Sequence, residues 1–136
     1  MRDDKRLLIL CLCGLIPWTL PPASRADPPA FASQLKTANE AMRSEPAKSY
    51  YEGPFNKAFY GGFSNWLNLC TQQTGQTLSD LDLLITLDPA GKVATLQIEP
   101  HSGLAECFAA QVRKEQFPPP PSSSLVVPAS VRITKP

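Results

Sequence analysis

The side chains of this sequence that could do chemistry are Cys70, Cys107, the lone histidine His101, and Asp80, Asp82 and Asp88 around one apolar run. Two distant cysteines form either a structural disulfide or, where a thiol pKa is depressed, a redox couple. The chain has no Cys-x-x-Cys pair, and no flanking charge pattern lowers a thiol pKa, so a structural bridge is the economical reading. His101 stands just ahead of an amphipathic segment, where a solvated turn residue is expected. Asp82 and Asp88 fall on the polar positions of an alternating run, which reads as solvating charge rather than an acid/base pair. No His, Cys or carboxylate spacing in the sequence suits a metal, and it contains no phosphate-cradling glycine loop and no nucleophile elbow. The sequence therefore predicts a protein that is not an enzyme and uses no cofactor, metal or small-molecule substrate.

The elements that position these residues lie between Leu81 and Pro136. Leu81, Leu83, Ile85 and Leu87 alternate with Asp82, Leu84, Thr86 and Asp88, the period of a half-buried strand. Pro89-Ala90-Gly91 reads as a tight turn, and Ala94, Leu96 and Ile98 alternate with Val93, Thr95, Gln97 and Glu99 in a second, antiparallel strand. From Gly103 the period lengthens: Leu104, Cys107, Phe108 and Val112 share one face of a helix, with Ser102 as its cap. Pro118 to Pro121 stop that helix and lead stiffly to a third strand with Leu125, Val127, Ala129, Val131 and Ile133. Pro128 inside that strand places it at an edge or a bulge.

Taken in order, Leu83-x-Ile85-x-Leu87, Pro89-x-Gly91, Ile98-x-Pro100, a helix bearing Cys107, and Pro118 to Pro121 resemble the C-terminal domain of TolA and, more distantly, that of TonB. The resemblance covers roughly the last 55 residues. It implies a periplasmic domain that binds envelope proteins, with a sheet edge to which a partner segment adds a strand. In TolA-like sequences the partner cysteine sits beside the first strand, whereas Cys70 lies about a dozen residues ahead of it. That departure leaves two outcomes open: the bridge ties a different helix to the Cys107 helix, or it does not form.

Upstream, residues 1–26 read as a secretory signal peptide: Arg2, Lys5 and Arg6 precede an apolar run from Leu7 to Leu20, and Ser24-Arg25-Ala26 is a small-x-small cleavage pattern. The run contains Pro17 and falls short of the roughly 20 residues needed to span a bilayer. The rival is an uncleaved anchor. Cleavage after Ala26 delivers a soluble chain to the periplasm and leaves only Cys70 and Cys107 as cysteines, in an oxidising compartment. Residues 27–53 read as an N-terminal helical arm with Phe31, Leu35, Ala38 and Met42 on one stripe, and residues 54–136 as the TolA/TonB-like domain. A helix opening at Pro54 sets Phe55, Phe59, Phe63, Trp66 and Cys70 on one core stripe, and Gly61-Gly62 interrupts it, marking a kink or a close backbone approach. After cleavage nine Lys and Arg face ten Asp and Glu, a balance that predicts neither nucleic-acid nor anionic-membrane binding.

The expected fold is α+β: leading helices, then β-β-α-β, with a three-stranded antiparallel sheet and helices packed mainly on one face. The expected partner-binding residues are Leu125, Val126, Val127, Ala129, Val131 and Ile133, on a monomer that contacts periplasmic or outer-membrane proteins of the Tol or Ton kind. Such a module assists those proteins or acts as a decoy. The other readings are a structural accessory of a secretion or conjugation apparatus and, if the leader is retained, a minimal force transducer. A Cys70–Cys107 bridge closes a loop of roughly 40 residues, which the chain-entropy model equates with about 4 kcal/mol. Urea unfolding with and without a dithiol is expected to differ by about that amount; coincident transitions would mean that the bridge does not form.

Overall fold

Leu81–Leu87 forms β1. Leu81, Leu83, Ile85 and Leu87 enter the main core, and Leu84, on the opposite face, is only 2% exposed. A strand covered on both faces suits the middle of a sheet, and β1 is the central strand of three, in the order β2-β1-β3. The computed structural model describes residues 30–133, so the signal peptide expected over residues 1–26 lies outside the described residues. Among the described residues no helix is long and apolar enough to cross a membrane.

β2 (Val93–Glu99) and β3 (Leu125–Val131) pair antiparallel with β1 on its two sides. Preceding them are α1 (Phe31–Ala41), α2 (Ala47–Tyr50), a π-helical turn (Tyr51–Phe55) and α3 (Asn56–Thr74), and α4 (Gly103–Arg113) lies between β2 and β3. The architecture is α+β with a three-stranded antiparallel sheet, as the alternation and the turn residues predict. α3 and α4 cover one face with an aromatic core. Phe55, Phe108 and Phe117 are essentially unexposed, Phe55 stacks on Phe117 at 5.0 Å, and Trp66 meets Phe108 edge-on at 5.8 Å. Each such side chain contributes about 1.5–3 kcal/mol by leaving water.

α1 lies on the second face. Ala38 and Met42 are buried there against β1 and β3, and Gln97 Nε2 donates to Gln34 Oε1 at 3.2 Å. The arm is thus packed on the sheet, and Leu84, expected on a polar face, is buried under it with Pro128.

Several local expectations need correction. The helix that was to open at Pro54 begins at Ala47, so one helical run crosses residues 53 and 54. Proline cannot donate to the carbonyl four residues back and its ring crowds that carbonyl. The wider π-helical turn absorbs both problems, with Asn56 N–H reaching Tyr51 O five residues back. β2 carries one extra residue against β1 between Thr95 and Val93, so Val93 turns toward the core while Ala94 faces water, the reverse of strict alternation. The Asp88 carboxylate is an anchor of the β1–β2 turn, accepting from Ala90 N and Lys92 N at 2.9 Å each. Gly91 sits at φ 87°, and a Cβ there would strike the Phe117 carbonyl, whose own N–H donates to Gly91 O at 3.1 Å. This backbone contact ties the proline loop to the hairpin.

The Cys70–Cys107 disulfide forms, with Cα atoms 5.6 Å apart, and clamps α3 to α4. The capping of α4 was half legible: Ser102 Oγ accepts from Ala105 N at 3.0 Å as expected, and Gln76 Oε1 adds a bond from Leu104 N at 2.8 Å.

Gly61 and Gly62 differ sharply. The helix continues through both without a break, a Cβ on Gly61 meets open space, and one on Gly62 would fall inside the Trp66 indole. Gly61→Ala is therefore expected to raise stability by about 0.5–1 kcal/mol and Gly62→Ala to lower it by about 1–3 kcal/mol. Thermal unfolding of the two variants checks the opposite signs.

Candidate functional site

A sheet of three strands has two outer edges, and proline decides how the β3 edge is arranged. Pro128 has no N–H, yet it pairs opposite Leu84 within an unbroken ladder, so that pair is a non-hydrogen-bonded one. Alternation then directs the main-chain groups of Val127, Ala129 and Val131 to β1 and those of Val126, Pro128 and Ser130 to the open edge. The edge offers N–H and C=O at Val126 and Ser130 and C=O alone at Pro128.

By the same parity, β1 uses its even-numbered residues to bond β2, which turns the main chain of Leu96 and Ile98 outward on the other edge. There the Arg113 guanidinium reaches over from the end of α4 and donates to Leu96 O at 3.4 Å. The two edges therefore differ: a cation from α4 caps part of the β2 edge, while β3 carries no charged residue between Leu125 and Val131.

The expected partner-binding residues divide by side-chain direction. Val127, Ala129 and Val131 are buried in the main core and Leu125 packs partly against it, so these four build the fold. Val126 is 42% exposed beside the open ladder. Ile133, expected as the last residue of the strand, is exposed and lies beyond its end. Its N–H donates to Asp80 Oδ1 at 2.6 Å instead of joining a ladder. Ser130, missed in the sequence, belongs to the edge, and its main-chain position follows from that of Pro128.

The aspartates also have structural partners. Asp82 Oδ1 accepts from Arg132 Nη2 at 2.7 Å and from Ser130 Oγ at 2.6 Å, fastening β1 to β3. Next to the start of β3, a groove of about 430 Å³ opens between that strand and α1, lined by Ser33, Gln34, Thr37, Ala38 and Ala41 on the helix and Leu125 and Val126 on the strand. The Tyr50 hydroxyl donates to Pro118 O at 2.6 Å, and burial pushes its pKa up to about 12. That bond holds the proline loop that feeds β3.

Among the described residues no group of three His, Cys, Asp or Glu side chains is placed to hold a metal ion. The chain matches no protein-family model, no curated protein and no solved structure.

His101 is an exposed turn residue whose Nδ1 lies 2.7 Å from Glu106 Oε1. The hydrogen bond to Glu106, with the charges of Glu106 and Glu99, holds its pKa above the ordinary 6.5 against a small opposing desolvation. A raised folded-state pKa means that this pair's contribution is complete below the unfolded value and is lost as pH rises through the folded value. An NMR titration is expected to place the His101 midpoint above 6.5 and to return it toward that value in Glu106→Gln; an unchanged midpoint in the variant would remove Glu106 as the cause.

Proposed function

We propose that this chain is a non-enzymatic, periplasmic protein-interaction module, similar to the C-terminal domain of TolA, that binds envelope proteins by accepting a strand along the β3 edge. The observation that carries this reading is the row of outward main-chain groups at Val126, Pro128 and Ser130 beside the exposed Val126 side chain. Support also comes from the contrast between the edges, because Arg113 covers part of β2 while β3 itself carries no charged residue from Leu125 to Val131. The order of turn, cysteine helix and proline loop that resembles TolA supplies the partner class. On this reading the disulfide keeps α3 and α4 fixed behind the sheet, so the edge is rigid before a partner arrives and little ordering free energy is spent on binding.

The test replaces the outward donors while leaving the main-chain β1 ladder intact, and Ser130→Ala, which loses only the Ser130–Asp82 side-chain bond, is its control. Val126→Pro with Ser130→Pro removes two N–H groups from the open edge, each net hydrogen bond being about 0.5–1.5 kcal/mol. The protein as processed by the cell is immobilised and exposed to periplasmic and outer-membrane extract. Recovery of Tol- or Ton-system proteins by the parent is expected to fall on the order of tenfold in the double variant, with circular dichroism unchanged. Equal recovery by both proteins would move the site away from β3, and no recovery by a folded parent would end the reading.

A further inference from the structure

We propose that the groove between α1 and β3 is a side-chain pocket for the added strand, so that α1 selects partners carrying a large apolar residue at the position paired with Val126. This rests on the reading that a partner adds a strand along β3, and it specifies what that partner must be. Directly opposed residues of neighbouring strands present their side chains on the same face of a sheet. The Val126 side chain lies on the α1 face, so the partner residue paired with Val126 delivers its side chain to that face, beyond the edge and alongside the exposed flank of α1. There it meets Thr37 and Ala41, with Ser33, Ala38 and Leu125 completing the wall.

The groove, about 430 Å³ and open on one side, admits a side chain as large as leucine or phenylalanine. Its lining carries no charged group, and the Thr37 hydroxyl already donates to Ser33 O at 3.0 Å. The groove offers no opposite charge, so a charged side chain placed there loses water that the Ser33 hydroxyl and the Gln34 amide replace only in part.

The backbone beside the groove commits the occupant to an extended chain. Donors and acceptors at Val126 and Ser130, with an acceptor at Pro128 between them, recur at strand spacing, and an extended main chain answers all of them together. Pro128 also sets the frame. A residue facing it gains one hydrogen bond instead of two, so an antiparallel partner places its fully exchanging residues opposite Val126 and Ser130. The first enters the groove, and the second lies beside the Asp82–Arg132 pair, where a polar residue fits.

The probe is a set of blocked peptides, Thr-Val-Thr-Val-X-Val-Thr-Val-Thr, with X as Phe, Leu, Ala or Glu, titrated by NMR into the protein as processed by the cell. Phe and Leu are expected to bind on the order of tenfold more tightly than Ala, with Glu weakest. Shifts are expected at the Val126 and Ser130 amides and at the Thr37 and Ala41 methyls together. Ala41→Trp fills the groove and is expected to erase the preference for Phe over Ala. Equal affinity for all four peptides, with shifts along the edge, would overturn the pocket and leave strand addition standing. Shifts confined to Thr37 and Ala41, without the edge amides, would overturn both. Shifts that follow protein concentration before any peptide is added would assign the groove to a second copy, and no response to any peptide would likewise overturn the pocket.

Discussion

β1 has no free side. Both of its ladders are used, by β2 and β3, and both of its faces are covered, by the aromatic layer of α3 and α4 and by α1. A strand in that position must be apolar on both faces at its centre, and Leu83-Leu84-Ile85 meets the requirement. The consequence for the rest of the molecule is that every unpaired main-chain group of the sheet belongs to β2 or β3. Any interaction through the sheet is an interaction with one of those two strands.

The fold treats the two strands differently, and side chains from distant elements make the difference. β2 is the outer strand of a hairpin whose turn is held by the Asp88 carboxylate and by the approach of Phe117 to Gly91, and Arg113 returns from α4 to one of its carbonyls. β3 arrives through the proline loop, which Tyr50 anchors, and is fastened to β1 by the Asp82–Arg132 and Asp82–Ser130 contacts. These contacts fix the position of β3 without occupying its outward ladder. Pro128 serves two ends at once: its ring is buried beneath α1, and its missing donor faces outward, where it weakens self-pairing without costing the sheet a bond.

The disulfide and the aromatic layer act on the opposite face. Cys70 lies near the end of α3 and Cys107 near the start of α4, so the bridge joins the two helices at the point where the chain leaves one to build β1 and returns to build the other. With α3 and α4 clamped, Trp66, Phe59 and Phe108 pack edge to face as a single layer. Gly62 permits the Trp66 ring to lie along its own helix, so a residue pair that reads locally as a weakness is what allows the largest side chain of the core to fit.

How much of this was legible depended on the range of the interaction. Alternation in Leu81 to Leu87, the Pro-x-Gly turn, the helical stripe from Leu104 to Val112 and the aromatic stripe from Phe55 to Cys70 are set by backbone periodicity and turn chemistry, so the sequence by itself determined the elements, their order and most of the core. It also placed Pro128 on an edge strand, because a missing N–H is a local property. Other features arose only when separate segments met. The π-helical turn that carries Pro54, the burial of Leu84 beneath α1, the Gln76 cap on α4, the capping of Leu96 by Arg113 and the groove beside Val126 each depend on groups far apart in the chain or on strain that a neighbour relieves. Tertiary structure alone decided how the two edges differ, because that depends on where Arg113 and α1 come to rest, and periodicity carries no information about such long-range placement.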